Sequence, residues 1–427
     1  MTSTADLPWL DGSQRGFPAD RAAVTVANLE RETLSVLDGS AQLPVLTFDR
    51  AAWSRNCDAM FAYADAAGAR LAPHVKTPMS PELARELWDR GAVALTVADI
   101  RQAVVMLGYG LDRLILANQI GGRASGARLG RLLKAHPDAR VTLYVDSLAA
   151  LETAGAVADA SGRTADFLIE VGGARAGARA MATVQAILKA MKGHPKLKVS
   201  GIAAYEGASA TADQDETRRA IGALHAFARE AFNELRRRMP EDRLMLSSGG
   251  SNFFDLVIED LGPLVRDDGN ADLVLRSGAI FFHDHGVYAR GLANMDRRGG
   301  YAKQGGAKAS DSFTPALAIH AEVLSRPEAG LAICGMGMRD ASFDQGLPVP
   351  LALHRDGRAR TLPEPMTVEK LNDQHAFVTV DPGADLVVGD VVSFGISHPC
   401  TALDRWRWIF EAGPDGRITG AMPTFFG

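Results

Sequence analysis

The 427-residue chain is 47% hydrophobic and 23% charged, the balance of a soluble globular protein with room for two or three domains. Its formal charge of −5 and pI near 6.1 argue against nucleic acid or an anionic membrane surface as partner. No run approaches about 18 apolar residues, the start "MTSTADLPWLDGSQRG" lacks a secretory pattern, and three cysteines (Cys57, Cys334, Cys400) suit a reducing compartment, the cytoplasm by expectation.

From about residue 44 short strand-like runs alternate with amphipathic helices. The strand candidates are "LAPHVK" (71–76), "ALTVAD" (94–99), "RLILAN" (113–118), "VTLYVD" (141–146), "DFLIEVG" (166–172), "VSGIAAYEG" (199–207), "LMLSSGG" (244–250) and "ADLVLRSGAIFF" (271–282). Between them lie helical stretches such as "SPELARELWDRG" and "TRRAIGALHAFAREAFNELRRRM". The second keeps Ile221, Leu224, Phe227, Phe232 and Leu235 on one stripe, as a helix packed on a sheet requires. Eight such repeats predict a (β/α)8 barrel, with an open doubly wound sheet as the alternative. An earlier run, "LPVLTFD" (43–49), reads as a lead-in from another domain.

After residue 286 the rhythm changes. "NMDRRGGYAKQGGAKASDS" (294–312) reads as a loop, and "ALAIHAEVLSR", "GLAICGMG", "AFVTV", "DVVSFGI" and "RWRWIFEA" follow without long helices. That pattern predicts a mostly antiparallel β domain. The expected division is an N-terminal segment 1–43 packing on the β domain, a barrel over 44–286 and the β domain over 287–427.

Lys76 ends the first barrel strand, on the face where barrels of this kind carry their chemistry. It is either a rim lysine with its head in water or an amine held for covalent work on carbonyls. "SSGGS" (247–251) and "RSGAI" (276–280) place glycine turns on the last two strands, where freed backbone N–H groups can cradle a phosphate or serve as plain turns. Arg175 follows the "DFLIEVG" strand and Tyr205 ends the next. The first is a surface charge or a donor to an anion, the second a rim aromatic or a hydrogen-bonding tip. In "ISHPC" (396–400) an extended backbone turns His398 and Cys400 to one side. Imidazole plus thiolate suits Zn2+ with open positions left over, and a buried cysteine beside a satisfied histidine is the alternative. "HDHG" offers a rival pair, His283 and His285, and His375 reads as a capping or turn residue.

"PHVKT", "GGARAG", "YEG", "SSGGS", "RSG" and "HPC" occur here in the order that they have in the D-serine dehydratase and D-threonine aldolase family, which the chain resembles over about residues 43–410. "LTVADIRQAVVMLGYG" and "ILANQIGG" look closest to its bacterial amino-acid or D-serine deaminase branch. The resemblance implies an alanine-racemase-like barrel that binds pyridoxal 5′-phosphate (PLP), followed by a β domain. By the same resemblance Lys76 matches the lysine that carries PLP, and Arg175 the arginine that contacts its phenolic oxygen. Gly249, Gly250 and Ser251 match the phosphate turn, Gly278 and Ala279 the second phosphate contact, and Arg276 the partner of the pyridine nitrogen. Tyr205 is expected beside the cofactor. His398 and Cys400 match the metal pair of the dehydratases, a divalent ion with zinc favoured by the thiolate.

Two departures bear on substrate. Pro78 and Met79 stand where many relatives read His-Lys, and Cys400 stands where aldolases usually carry aspartate. The expected activity is dehydration of a small D-3-hydroxyamino acid such as D-serine or D-threonine to a 2-oxo acid and ammonia, in a homodimer. Retro-aldol cleavage to glycine and an aldehyde is the alternative, and a PLP-holding protein without turnover the third reading.

Overall fold

The computed structural model describes residues 9–304 and 307–426, so residues 1–8, 305–306 and 427 of the expected N-terminal segment and β domain lie outside it. The chain begins with Val45–Phe48 (β1), Arg50–Ala66 (α1), Arg70–Leu71 (β2), Pro81–Asp89 (α2), Leu95–Val97 (β3), Ile100–Gly108 (α3) and Arg113–Leu116 (β4). It continues through Arg123–Ala135 (α4), Arg140–Val145 (β5), Leu148–Ser161 (α5), Ala165–Glu170 (β6), Met181–Ala190 (α6) and Leu197–Ala203 (β7). Gln214–Arg238 (α7), Leu244–Ser248 (β8), Phe254–Asp268 (α8) and Ala271–Leu275 (β9) complete the alternation.

The sheet order β2-β9-β8-β7-β6-β5-β4-β3 is parallel throughout. Backbone bonds close it. Val93 N–H donates to Leu71 O (2.9 Å), Thr96 N–H to Pro73 O (2.8 Å) and Val75 N–H to Thr96 O (2.9 Å), while Ala72 N–H donates to Leu275 O (2.8 Å) on the other side. The first strand is cut short as a regular ladder because Pro73 has no N–H to give, yet the chain stays between its neighbours as far as Val75. One ring of side chains fills the inside: Ala72, Ala94, Ile115, Tyr144, Leu168, Ala203 and Val274 form their own apolar cluster. The barrel is a packed core whose chemistry must sit at its strand ends.

The second sheet runs β13-β12-β16-β10-β1-β17-β18, built from Leu317–Glu328 (β10), Leu331–Cys334 (β11), Val349–Arg355 (β12), Arg358–Arg360 (β13), Met366–Leu371 (β14), Ala376–Val380 (β15), Val391–Gly395 (β16), Trp408–Ala412 (β17) and Ile418–Pro423 (β18). β11, β15 and β14 branch from β10. All pairings are antiparallel except β1 with β17. β1 therefore lies in this sheet, although its residues fall within the 44–286 range expected for the barrel. Leu10, Phe17, Leu29, Leu34, Val36 and Leu37 pack with Trp408, Phe410 and Ile418 in a separate core.

Three sequence expectations need correction. The run 271–282 is not one strand, because β9 stops at Leu275 and a 3-10 turn covers Ala279–Phe281. The segment 294–312 is not all loop. Val287–Arg297 (α9) enters it with Leu292 and Met295 buried, and Ala309–Ser312 (α10) ends it. The "ISHPC" segment is not extended, since Pro399–Leu403 (α11) starts directly after His398. Proline is preorganised for the first helical position.

His320 on β10 joins three strands of the second sheet. Its Nε2 lies 2.9 Å from Thr47 Oγ1 on β1 and its Nδ1 2.9 Å from Ser393 Oγ on β16. Burial lowers its pKa from 6.5 to about 4. An unfolded histidine binds a proton that the folded one refuses, so this contribution is complete above pH 6.5 and is lost as pH falls towards 4. Thermal midpoints should drop between pH 7 and pH 5 (roughly the lower half of a histidine's titration range), and His320→Asn should show a shallower drop. Equal slopes for the two proteins would contradict this.

Candidate functional site

Lys76 stands in the turn beyond the first barrel strand and is exposed, while Thr77, Pro78, Met79 and Ser80 behind it are buried. The turn is held at both ends. Thr77 Oγ1 lies 3.2 Å from Cys400 Sγ, a hydrogen bond that joins the barrel to the β domain. Met79 has the left-handed φ of 42°, and its carbonyl accepts from Phe425 N–H at 2.9 Å. Arg101 in turn donates to Phe425 O at 2.7 Å, and the Phe425 ring packs edge-on against Tyr109. A residue with positive φ this close to a functional lysine persists only where its surroundings hold it. Here the segment that follows the last strand, Ile418–Pro423, does so.

Around the lysine lie the ends of the other strands. Arg276 is buried after β9, donating to Ala204 O at 2.6 Å and to Ser247 Oγ, with its guanidinium 5.6 Å from the centre of the Tyr144 ring. Arg175, about half exposed, lies over the Tyr205 ring at 4.8 Å and 3.5 Å from the buried Glu170 carboxylate. Gln119 donates to the other oxygen of Glu170 at 2.6 Å. Burial pushes His74 well below its ordinary pKa, and the positive Lys76, Arg276 and Arg175 push it further the same way. Burial raises the pKa of Tyr205, helped by Glu206, and lifts that of Tyr144 to about 12.

The two glycine turns meet as expected but are not both free. Glu206, the residue after Tyr205, is fully buried and accepts from Ser248 Oγ (2.9 Å), Gly249 N–H (2.9 Å) and Gly250 N–H (2.6 Å). A carboxylate thus holds the donors that the sequence offered to a phosphate. Ser251 Oγ accepts from Gly278 N–H (3.3 Å) and Ile280 N–H (3.1 Å), which ties the turn after β8 to the Gly278–Ala279 turn after β9. The Gly278 N–H is thus also engaged within the chain, more loosely (3.3 Å) than the Gly249 and Gly250 N–H groups are by Glu206 (2.9 and 2.6 Å). Gly278 is required for space. A Cβ on it would lie 2.3 Å from His74 O, two residues before Lys76.

His398 and Cys400 do face one another, across the start of α11. His398 Nδ1 lies 2.7 Å from Asp344 Oδ2. Burial would lower the His398 pKa, but the Cys400 side chain and the Asp344 carboxylate raise it to about 9. Tyr288 on α9 packs edge-on against the imidazole, with ring centres 6.3 Å apart. Burial raises the Tyr288 pKa well above the ordinary value, Cys400 and Tyr205 adding to it. Among the described residues no group of three or more His, Cys, Asp and Glu side chains is placed to share an ion. His398 and Cys400 therefore offer two donors, and the remaining positions would fall to water or substrate.

The rival histidines belong to the domain junction. His285 N–H donates to Ile396 O at 2.9 Å and its ring lies against Gly395, where a Cβ would come within 2.3 Å of Nδ1. Asp284 caps α9 through the N–H groups of Gly286, Tyr288 and Ala289. His375 is exposed, and its carbonyl closes a turn with Asn372 N–H. Sequence reasoning missed Glu206, Tyr288 and Asp344. Glu206 had a signal in its place inside "YEG", whereas Asp344 lies 54 residues before its partner and carries none.

The donor set fits PLP. It offers a lysine amine, two arginines for anionic oxygens, a turn of Ser251, Gly278 and Ala279, and the buried His74 Nδ1 and Tyr144 hydroxyl, which have no hydrogen-bond partner among the described residues. The pairing of imidazole with sulfur likewise fits a borderline-soft divalent ion.

Comparison with known proteins agrees with this architecture. Residues 48–256 match the alanine racemase N-terminal domain, and residues 316–411 match the serine dehydratase domain. The chain is 26% identical over 359 residues to a D-threonine aldolase of Arthrobacter sp, covering 83% of this chain and 85% of that one. It is 28% identical over 318 residues to a 3-hydroxy-D-aspartate aldolase of Paracoccus denitrificans (strain Pd 1222), covering 73% and 76%. Among solved structures, D-threonine aldolase from Filomicrobium marinum superposes with a TM-score of 0.71 at 22% identity, over 92% of this chain and 97% of the other. A D-threo-3-hydroxyaspartate dehydratase, solved as a cysteine-to-alanine variant in the metal-free form, superposes with a TM-score of 0.70 at 20% identity, over 92% and 100%. These two structures carry the fold, and the resemblance read from the motifs stands.

Gly278→Ala should destabilise the protein by about 1–3 kcal/mol, because the methyl group overpacks the strand that leads to Lys76. Gly173→Ala, whose Cβ would meet nothing within 4 Å, is the control. Equal thermal midpoints for the two variants would refute the close approach.

Proposed function

We propose that this chain, an alanine-racemase-type barrel joined to a serine dehydratase domain, is a PLP- and metal-dependent enzyme that dehydrates a small D-3-hydroxyamino acid to a 2-oxo acid and ammonia. The observation that carries the reading is the Thr77–Cys400 contact, which brings the turn of Lys76 and the His398–Cys400 pair to one place. When bound, PLP supplies an electron sink for charge at Cα, and a divalent ion, zinc by preference for sulfur, supplies a Lewis acid for the oxygen on Cβ.

The chain's own residues have distinct tasks. Lys76 would hold the cofactor through its amine, and that amine would serve as the base for the Cα proton. Arg175, held over Tyr205, would serve the cofactor's phenolic oxygen, and Arg276 its pyridine nitrogen. Ser251, Gly278 and Ala279 take the phosphate, with Gly249 and Gly250 shaped by Glu206. His398 and Cys400 hold the ion on the β-domain side. One lysine on one face of the cofactor removes a proton from one enantiomer only, and the names of the relatives favour the D series.

Retro-aldol cleavage needs the same site and breaks Cα–Cβ instead of Cβ–O. Both sequence relatives bear aldolase names, which favours it. Cys400 in place of the aspartate usual in aldolases favours dehydration. The products decide. D-serine should give pyruvate and ammonia, and D-threonine should give 2-oxobutyrate and ammonia rather than glycine and acetaldehyde. Glycine and aldehyde in stoichiometric yield would replace dehydratase by aldolase. Comparable kcat/KM for D- and L-serine would overturn the single-face account.

Borohydride reduction of the PLP-supplied protein should leave the pyridoxyl label on Lys76. Label elsewhere, or none, would remove the barrel from the reading.

Among the described residues no helix is long and apolar enough to cross a membrane. A cytoplasmic homodimer acting on a free amino acid is part of the same proposal.

A further inference from the structure

We infer that Asp344 is a positioning residue for the metal: it fixes the His398 imidazole so that Nε2 is the nitrogen presented to the ion. The inference rests on the metal reading above and goes beyond it, to a residue outside the ligand pair.

The geometry is specific. Asp344 Oδ2 lies 2.7 Å from His398 Nδ1, and Thr401 Oγ1 donates to Asp344 Oδ1 at 2.6 Å. An ionised carboxylate can only accept, so Nδ1 must carry the hydrogen and, in the neutral ring, the lone pair remains on Nε2. Hydrogen bonds to Thr401 and His398 help to lower the Asp344 pKa, against the raising effect of burial. Thr401 lies one residue after Cys400. The carboxylate therefore ties together the two sides of the donor pair.

The loop that supplies Asp344 is itself held. Ser342 Oγ accepts from His398 N–H at 3.1 Å and lies 3.2 Å from Ser397 Oγ. Trp406 Nε1 donates to Asp340 O at 2.9 Å, and Arg290 donates to Gln345 O at 2.9 Å. Tyr288 packs against the imidazole and limits its rotation. A surface ion pair between an exposed histidine and aspartate would be worth little. Here the histidine side chain is 20% exposed and the aspartate 40%, and both lie in a network anchored at five points. Partners of this kind hold a metal-binding histidine's orientation and tautomer, and losing one typically weakens metal binding by about 10–100-fold.

The test is zinc binding by the full-length, PLP-loaded protein. The protein is stripped with a chelator and titrated with Zn2+ against a chromophoric competitor. Wild type is compared with Asp344→Ala, Asp344→Asn and Thr401→Val, and the thermal midpoint and PLP absorbance of each stripped protein are recorded. Asp344→Ala should bind zinc about 10–100-fold more weakly with an unchanged PLP spectrum. Asp344→Asn, which keeps an acceptor, should lose less, and Thr401→Val less again. In the background of His398→Ala, removing Asp344 should cost nothing further, a result that a merely structural role would not give. Wild-type affinity in Asp344→Ala, with zinc bound by wild type, overturns the inference and leaves the metal reading standing. Failure of the wild type to bind zinc overturns the metal reading and the inference together. If Asp344→Ala does not fold, Asp344→Asn and Thr401→Val carry the same comparison, and wild-type affinity in both overturns it.

Discussion

The hydrogen bond between Thr77 and Cys400 spans 323 residues of sequence and joins the barrel to the β domain directly beside Lys76. Each sheet is complete without the other. The barrel has its own interior ring of apolar side chains, and the second sheet has β1 at its centre. What neither possesses alone is the approach of the Lys76 turn to the His398–Cys400 segment, on which the proposed function rests. The chain obtains that by passing through the β domain first, folding the barrel, and returning. β1 enters the second sheet before β2 starts the barrel, so both ends of the barrel are tethered to the same sheet. Arg50, at the start of α1, adds bonds to Glu82 (2.8 Å) and Glu86 on α2 and to Glu411 on β17. The Phe425–Met79 bond repeats the theme at the C-terminal end.

Charge at the barrel mouth follows from that placement. Lys76, Arg175 and Arg276 gather where Glu170 and Glu206 are the buried counter-charges. Glu206 is fully committed to Ser248, Gly249 and Gly250, and Glu170 is shared between Gln119 and the more distant Arg175. The cations are thus only partly compensated, which suits a dianionic ligand whose charge completes the balance. His74 stays neutral in their company, because a fourth positive charge there would be unpaired and buried. Under the proposed function the barrel face would take the negative charge, while the β-domain face offers imidazole and sulfur.

Much of this was legible in the sequence, for local reasons. Strand ends were marked by the switch from apolar runs to glycine at Tyr205, Ser251, Arg276 and Gly278, and to Thr77–Pro78 at Lys76. Errors arose where one local rule met another. Pro73 interrupts the ladder of the first strand, and the glycines after Arg298 hid the amphipathic face of α9. Pro399 starts a helix where alternation had suggested an extended pair. Asp344 could not be read at all, since its partner is remote in sequence and its loop has no periodicity. The glycine pair Gly249–Gly250 reads locally as an anion cradle or a plain turn, and nothing local says that its N–H groups go to the chain's own Glu206.

The central claim is that the two faces act on one substrate, Lys76 at Cα and the His398–Cys400 pair at the leaving group. The measurement that tests it most directly is the kcat of Cys400→Ala on two substrates with the same Cα and different leaving groups, D-serine and β-chloro-D-alanine. Hydroxide leaves poorly and chloride leaves well. The account predicts that D-serine elimination falls roughly a hundredfold or more, while β-chloro-D-alanine keeps most of its rate. Equal losses on the two substrates would contradict it.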